Sequence, residues 1–127
     1  MIDLDHFKLI NDTCGHATGD QVLHVIAERC REAIRELDTL GRYGGEEFCA
    51  ILPEATLEEA TEVADRIRKR VADKVVLTEL GTFSITISVG VAGLTADTTD
   101  FLDLMHQADM ALYKAKQSGR NRVSITK

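Results

Sequence analysis

The sequence predicts an α+β fold with a ferredoxin-like βαββαβ core and an additional C-terminal helix and strand. Two segments with helical spacing of apolar residues, a hairpin between them and a segment that alternates apolar and polar residues predict this order. The 127 residues match one ordinary domain, large enough to bury a core without disulfides or a structural metal. We therefore expect residues 1–127 to form a single domain.

The first half of the chain predicts a strand, a helix and a hairpin. Residues 1–4 are an apolar and acidic run that is typical of the end of a strand. Apolar residues then recur at helical spacing over residues 18–37, which predicts a helix. Residues 39–43 and 48–52 predict two short strands, and the glycines between them predict a hairpin turn.

The second half predicts a helix, a strand, a longer helix and a last strand. Thr56 and Glu59 fit a capping box, in which each side chain satisfies a backbone amide at the start of a helix. Apolar and polar residues alternate over residues 83–91, which is typical of a strand. A final helix is predicted over residues 100–118, with Gly119 at its end, before a short strand at residues 123–126.

This topology brings acidic residues together from distant parts of the chain. The hairpin is expected to insert its second strand beside strand 1, antiparallel to it, so that the end of strand 1 lies near the hairpin turn. Asp3 and Asp5 lie at the end of strand 1, and Glu46 and Glu47 lie at the hairpin turn. Several carboxylates in one place repel one another unless they bind a cation or take up protons.

An acidic cluster of this kind favours Mg²⁺ or Mn²⁺, because these cations prefer oxygen ligands. Mg²⁺ bound to a few carboxylates keeps positions open for phosphates, and paired metals can activate a hydroxyl and stabilise leaving pyrophosphate. Gly44 and Gly45 leave room for a ligand to approach the backbone. The alternative is a solvent-exposed hairpin turn that binds nothing.

Composition excludes other classes of function. The chain has 15 Lys and Arg against 21 Asp and Glu, a net charge of −6, which argues against binding to a nucleic-acid polymer. Cys14, Cys30 and Cys49 are widely spaced, which argues against a disulfide framework or a zinc site and favours a reducing cytoplasm. No signal peptide or membrane span is predicted, although a longer, membrane-anchored parent protein stays possible.

Three basic residues could balance the charge of a polyphosphate ligand. Lys8 follows the first acidic pair, Lys116 lies near the end of the last predicted helix, and Arg120 follows Gly119. Lysine and arginine are common ligands of nucleotide phosphates. For Lys116, the alternative is that a cation near a helix C-terminus complements the helix dipole.

Several segments together resemble the GGDEF-domain diguanylate cyclases. The run Gly-Gly-Glu-Glu-Phe at residues 44–48 is similar to the motif that names this family. Further similar segments lie at residues 3–12, 15–20, 88–91, 108–116 and 119–121. The resemblance covers essentially the whole chain, and it implies a core like the palm of nucleotidyl cyclases. Relative to the family, the usual N-terminal helix and the start of strand 1 are expected to be missing.

The resemblance implies an enzymatic function. Members of this family join two GTP molecules into cyclic di-GMP and release two pyrophosphates, with Mg²⁺ or Mn²⁺ bound and with two domains facing each other in a homodimer. An upstream sensory or receiver domain is expected in the parent protein. The alternative is an inactive domain that serves as a sensor of GTP or cyclic di-GMP, although such domains usually carry broken motifs.

The resemblance also implies roles for individual residues. The implied metal ligands and catalytic groups are Asp3, the carbonyl of Leu4, Glu46 and Glu47. The residues implied to contact the guanine base are Asn11 and Asp20. The residues implied to lie against the phosphates are Lys8, Gly44, Gly45, Lys116 and Arg120.

A second site is implied for inhibition by the product. Arg35 and Asp38 match the Arg-x-x-Asp pattern of the family's inhibitory site, and five residues separate Asp38 from Gly44. Arg66 on the next helix matches an accessory arginine of that site. The alternative is that these residues form a solvated helix end.

Overall fold

A computed structural model describes residues 1–126 of the chain. The elements, in chain order, are β1 (Ile2–Leu4), α1 (Phe7–Cys14), α2 (His16–Ala33), β2 (Thr39–Arg42), β3 (Glu47–Ile51), α3 (Leu57–Ala72), β4 (Val76–Thr78), β5 (Gly81–Phe83), β6 (Ile87–Val91), α4 (Phe101–Gln117) and β7 (Val123–Ile125). None of the helices within residues 1–126 is long and apolar enough to cross a membrane.

A five-stranded sheet lies at the centre, in the order β2-β3-β1-β6-β7. Neighbouring strands are antiparallel, except that β7 runs parallel to β6. Strand β3 lies between β1 and β2, which confirms the predicted arrangement. Strands β4 and β5 form a separate two-stranded sheet. The α+β fold with a C-terminal helix and strand is confirmed, and β1 is its central strand.

Side chains of β1 alternate between the two faces of this sheet. Ile2 and Leu4 are 1% and 3% exposed and pack in the larger core, to which α1, α2 and α3 contribute. Met1 packs on the other face, beside Leu112 of α4 in a smaller core. Because Asp3 follows the same alternation as Met1, its carboxylate lies on the face that α4 covers.

Gly90 allows α4 to lie close against β6. A Cβ atom at Gly90 would lie 2.2 Å from the carbonyl oxygen of Ala108 and 2.2 Å from the amide nitrogen of Leu112. Side chains do not tolerate such distances to backbone atoms, so this position requires glycine. The close approach brings the last turn of α4, which carries Lys116, toward the central strand.

Two helices form in a region where the sequence analysis predicts one. The predicted helix over residues 18–37 begins earlier, at His16, and ends earlier, at Ala33, and α1 precedes it. Helix α1 buries Phe7 and Ile10, and two apolar positions are too few for spacing to reveal a helix. Helix α2 ends at Ala33 because Ile34 has extended backbone angles, with φ −93° and ψ 165°.

Residues 83–91 do not form the single strand that alternation predicts. Strand β5 ends at Phe83 in the small sheet, and β6 begins at Ile87 in the large one. Between them, the Thr86 carbonyl accepts a hydrogen bond from the Asp5 amide at 2.9 Å, and the Thr86 hydroxyl donates to the Asp5 carboxylate at 2.7 Å. These bonds fix Thr86 at the end of β1, so the alternating pattern crosses from one sheet to the other.

Candidate active site

The pairing of β1 with β3 brings two of the predicted acidic residues side by side. Asp3 lies opposite Glu47 in the register of these strands, and the Leu4 amide donates a hydrogen bond to the Glu46 carbonyl at 3.3 Å. Asp3 is 4% exposed, whereas Glu46 and Glu47 are half-buried. The predicted convergence of strand 1 with the hairpin turn is therefore confirmed.

Helix α4 adds a positive charge to this pair. The Lys116 ammonium donates to Oδ2 of Asp3 in an ion pair between residues 113 positions apart. The side chain of Lys116 is 33% exposed, while that of Asp3 is 5% exposed. The helix dipole alone therefore does not account for Lys116, because this lysine forms an ion pair with one specific carboxylate, that of Asp3.

Glu47 carries the clearest electrostatic signature of the site. Partial burial raises the pKa of its carboxyl group, and the nearby negative charge of Asp3 raises it further. Asp109 and Glu46 act in the same direction, while the charge of Lys116 opposes them. The pKa is raised on balance, chiefly because partial burial disfavours the charged form of Glu47.

The donors at this site match the chemistry of a hard divalent cation. They are oxygen atoms from the carboxylates of Asp3, Glu46 and Glu47, together with the backbone carbonyl of Leu4. Within residues 1–126, no three His, Cys, Asp or Glu side chains are already gathered for a metal ion. A cation would therefore draw these side chains together and compete with Lys116 for the Asp3 carboxylate.

Asp5 has a different role from the one that the predicted cluster gives it. Its Oδ1 accepts a hydrogen bond from the Ser88 hydroxyl at 2.6 Å. Its Oδ2 accepts from the Thr86 hydroxyl at 2.7 Å and from the Asn121 amide at 3.0 Å. The residue is 6% exposed. Asp5 is therefore satisfied inside the protein and connects β1 with the loops before β6 and after α4.

The hairpin turn presents open backbone beside the acidic pair. Gly44 and Gly45 are exposed, and a Cβ atom at Gly44 would meet only Glu47, at 3.9 Å, while one at Gly45 would meet nothing within 4 Å. The Arg42 guanidinium donates to the carbonyls of Gly44 at 3.2 Å and Gly45 at 2.7 Å. Sequence reasoning missed this role of Arg42, whose position just before the glycines was the available signal.

Helices α1 and α2 bring the two predicted base-contacting residues to one corner. Asn11 lies on α1, and Asp20 lies exposed on α2 next to Gly19. A Cβ atom at Gly19 would lie 1.9 Å from Oδ1 of Asn11, so the asparagine packs directly over this glycine. That Oδ1 atom is buried and has no hydrogen-bond partner within residues 1–126. The corner therefore holds an unused acceptor beside an exposed carboxylate.

The remaining predicted phosphate contacts are less closely tied to the site. Lys8 is exposed on α1, and Arg120 is exposed in the loop after α4. Neither side chain makes a hydrogen bond or an ion pair with another residue in the described range 1–126. Their proposed contacts with a ligand stay predictions.

The predicted inhibitory site is a closed turn rather than a solvated helix end. Arg35 binds Asp38 through its backbone amide at 2.8 Å, through Nε at 3.0 Å and through Nη2 at 2.7 Å. Nη2 also donates to the Pro53 carbonyl at 2.9 Å. The hydrogen bonds from Arg35 lower the pKa of the Asp38 carboxyl, and the charge of Arg66 lowers it further. The three predicted residues therefore lie together.

Comparison with known proteins supports the resemblance seen in the sequence. A family model described as "Diguanylate cyclase, GGDEF domain" matches residues 1–122. Diguanylate cyclase A of Treponema denticola is 45% identical over 127 residues, which are 100% of this chain and 34% of that protein. The response regulator PleD of Caulobacter vibrioides is 42% identical over 125 residues, 97% of this chain and 28% of that protein. The chain thus spans a minor part of these relatives.

Solved structures share the fold over nearly the whole chain. The active GGEEF domain of a diguanylate cyclase from Vibrio cholerae superposes with a TM-score of 0.91 and is 40% identical, covering 99% of this chain and 80% of that one. The coiled coil and GGDEF domain of DgcB from Caulobacter crescentus, in complex with c-di-GMP, has a TM-score of 0.90 and 34% identity, covering 98% and 66% of the two chains. This chain therefore belongs to the family of GGDEF-domain diguanylate cyclases.

Proposed function

We propose that this chain is the catalytic domain of a diguanylate cyclase, which joins two GTP molecules into cyclic di-GMP and releases two pyrophosphates. The observation that carries this proposal is the pairing of Asp3 with Glu47 in register on β1 and β3. Family membership and the intact Gly-Gly-Glu-Glu-Phe run support it. The raised pKa of Glu47, caused by burial and by the nearby charge of Asp3, is consistent with a carboxylate that awaits a cation.

The acidic residues would hold Mg²⁺ or Mn²⁺. The ligands that we assign are the carboxylates of Asp3, Glu46 and Glu47 and the carbonyl of Leu4. A bound divalent cation offsets phosphate charge, favours loss of a proton from a hydroxyl and stabilises leaving pyrophosphate. The buried position of Asp3 holds that carboxylate fixed, whereas the half-buried glutamates keep the freedom to adjust.

The substrate would lie over the hairpin turn. Its phosphates approach the backbone of Gly44 and Gly45, where a ligand meets no side chain of these residues. Lys8, Lys116 and Arg120 supply positive charge to the triphosphate. At the other end, the amide of Asn11 and the carboxylate of Asp20 pair with the acceptors and donors on the guanine edge. The exposed position of Asp20, next to the glycine over which Asn11 packs, supports this assignment.

The reaction that we propose is an attack by the ribose 3′ oxygen of one GTP on the α-phosphorus of the other. A new phosphorus–oxygen bond forms, the bond from the α-phosphorus to the bridging oxygen breaks, and pyrophosphate leaves. The same exchange at the α-phosphorus of the first GTP, attacked by the 3′ oxygen of the second, closes the ring and releases the second pyrophosphate. The 3′ hydroxyl proton passes to a carboxylate of the site, a role that we assign to Glu47 because it lies opposite Asp3 in the register of β1 and β3. Since each domain holds one GTP, two copies face each other as a homodimer.

We also assign a product-inhibition site to Arg35, Asp38 and Arg66. The mutual contacts of Arg35 and Asp38, and the effect of Arg66 on the Asp38 pKa, support a common site. Arg35→Ala should remove inhibition, so that cyclic di-GMP accumulates without a plateau in a timed assay. Arg31→Ala is the matched control, because Arg31 is an exposed arginine near Arg35 in the sequence whose ion pair is with Glu28 on α2. Equal plateaus in the two variants would contradict this assignment.

The direct test of the proposed activity uses GTP and Mg²⁺. The protein, within its longer parent and with the expected upstream sensory or receiver domain, is incubated with GTP, and cyclic di-GMP and pyrophosphate are measured by chromatography. Two pyrophosphates should appear for each cyclic di-GMP. If a dimeric parent forms no product but binds GTP or cyclic di-GMP in calorimetry, the domain is a sensor and the catalytic proposal is wrong.

A further inference from the structure

The loop after α4 has an unusual backbone conformation that needs support. Gly119, Arg120 and Asn121 have φ values of 120°, 63° and 45°. Positive φ is easy for glycine, but it is unfavourable for residues with a Cβ atom. Two consecutive side-chain-bearing residues in this region persist only where surrounding contacts hold them. The loop is of interest because it presents Arg120, to which the proposed function assigns a phosphate contact.

Contacts on two sides hold this loop. On the sheet side, the backbone amide of Asn121 donates to Oδ2 of Asp5 at 3.0 Å, and Asp5 is itself fixed by two hydroxyl groups. The amide of Arg120 donates to the carbonyl of Ala115 at 3.1 Å, which ties the loop to α4. On the other side, Oδ1 of Asn121 accepts a hydrogen bond from Nη1 of Arg68 at 3.1 Å.

Arg68 reaches this loop from a different element. It lies on α3, 53 residues before Asn121, and its side chain is 20% exposed. Its Nε atom donates to Asp65 at 2.8 Å, one turn earlier on the same helix. This ion pair orients the guanidinium, so that Nη1 points at the loop. The contact with Asn121 is therefore made by a side chain that is already held in place on α3.

We propose that Arg68 is a positioning residue for triphosphate binding. By bonding the side chain of Asn121 while Asp5 bonds its backbone, Arg68 fixes the left-handed loop and thereby the direction in which Arg120 extends. The inference rests on the proposed function, in which Arg120 contacts the phosphates of GTP. It adds a residue of α3 that touches neither substrate nor metal but sets the affinity for the triphosphate.

The test compares Arg68→Ala with Lys69→Ala. Both changes remove one positive charge from α3 and one partner of Asp65, since Lys69 binds Asp65 at 3.2 Å, but only Arg68 contacts Asn121. The ligands are 3′-deoxy-GTP, which lacks the attacking hydroxyl, and guanosine, which lacks phosphates, each titrated with Mg²⁺ present. We expect Arg68→Ala to bind 3′-deoxy-GTP about fivefold more weakly, the effect of one lost hydrogen bond. Guanosine affinity should stay unchanged.

Two results of these titrations would overturn the proposal. One is equal affinity of Arg68→Ala and Lys69→Ala for 3′-deoxy-GTP, and the other is an equal loss for guanosine, which indicates general damage. Asn121→Gly provides an independent check, because it keeps a backbone suited to positive φ but removes the acceptor of Arg68. Its effect should not add to that of Arg68→Ala in the double variant. Additive effects would contradict the proposed connection.

A loop measurement separates this inference from the proposed function. Hydrogen exchange at the Asn121 amide should be faster in Arg68→Ala than in Lys69→Ala, whatever ligand the domain binds. If the unchanged protein fails to bind 3′-deoxy-GTP, the proposed function is wrong and the triphosphate role of Arg68 falls with it. If that protein binds the ligand and the exchange rates of the two variants are equal, the positioning role alone is wrong.

Discussion

Two carboxylates of this protein, Asp38 and Glu47, lie in opposite electrostatic settings. Asp38 has an inaccessible side chain, accepts hydrogen bonds from Arg35 and has a lowered pKa. Glu47 is half-buried beside Asp3 and other acids, and its pKa is raised. The first carboxylate is satisfied by its own turn, whereas the second is held in a place that disfavours its charge.

This difference separates a carboxylate whose charge is satisfied by the protein's own residues from one whose charge is not. A carboxylate with a lowered pKa stabilises the folded state at neutral pH, because folding favours its charged form. A carboxylate with a raised pKa does the reverse, since folding places its charge in a worse environment than water does. Such a residue is retained where a ligand later supplies the missing positive charge. The comparison therefore predicts opposite effects when each carboxylate is neutralised.

The largest expected effect is on activity, in Glu47→Gln. Cyclic di-GMP formation should fall by at least about 100-fold, because the site loses a metal ligand and the proposed base. At neutral pH the melting temperature should stay equal or rise, because the variant removes a charge that folding disfavours. Chromatography of the product and thermal unfolding measure the two effects.

Glu62→Gln is the control for this experiment, since Glu62 is an exposed glutamate on α3. It should change neither quantity. A Glu47→Gln protein that keeps its turnover would remove Glu47 from the proposed mechanism. One that melts clearly below the unchanged protein would show that the charge of Glu47, like that of Asp38, stabilises the fold.

The next largest effect is expected from Gly90→Ala, which acts on the position of α4. The added methyl would overlap backbone atoms of α4 at 2.2 Å, so the helix must move away from β6. We expect the free energy of unfolding to fall by about 1–3 kcal/mol, as for other overpacked cores. Activity should fall as well, because Lys116, to which the proposed function assigns a phosphate contact, moves away from the site. Denaturant unfolding measures the first effect.

Gly41→Ala is the matched control for the helix position. A Cβ atom at Gly41 in β2 would meet nothing within 4 Å, so the same chemical change should leave stability nearly unaltered. Similar losses in the two variants would mean that glycine at position 90 matters for reasons other than the approach of α4.

The smallest of the three main effects is expected from Asp38→Asn, and it depends on pH. The folded carboxyl has a pKa below its ordinary value of 3.8, so its charge stabilises the fold above that pH and loses this effect as the pH falls through the lower folded value. The variant should therefore melt several degrees lower at pH 7, and the difference should shrink below pH 3.8. Thermal unfolding at a series of pH values measures this.

Asp65→Asn is the comparison variant for the melting temperature of Asp38→Asn. Arg68 also lowers the pKa of Asp65, but the side chain of Asp65 is 40% exposed and solvent screens its ion pairs. Its replacement should lower the melting temperature less than Asp38→Asn does. A difference between Asp38→Asn and the unchanged protein that stays constant with pH would mean that the hydrogen bonds, rather than the charge, hold the turn.

Local patterns account for the part of the fold that the sequence predicts correctly. Hairpin geometry and the crossover from β1 place β3 beside β1, and this alone brings Asp3 to Glu47. The sequence analysis does not predict helix α1, because its two buried residues, Phe7 and Ile10, do not make a periodic pattern. The break at Thr86 escaped it because the residue that causes the break, Asp5, lies 81 positions away.

The sequence predicts which residues lie at the site, but it predicts their individual roles less well. Asp3 and Asp5 look equivalent in the sequence, as acids two residues apart on one strand face. Their difference arises from partners far along the chain, since Lys116 contacts the first and Asn121 contacts the second. Arg68 is a similar case, because nothing in α3 itself indicates a contact with the loop after α4. Roles that depend on distant partners require the three-dimensional structure.

The central position of β1 has a consequence for the order of folding. Its neighbours in the sheet are β3 and β6, and β6 begins 85 residues after Ile2 opens β1. Contacts between such distant residues form late, because long loops must close before they form. During synthesis, β1 therefore pairs with β6 only after β6, Ile87–Val91, has been made. Lys116 is made later still, so its ion pair with Asp3 forms only after β6 has been made.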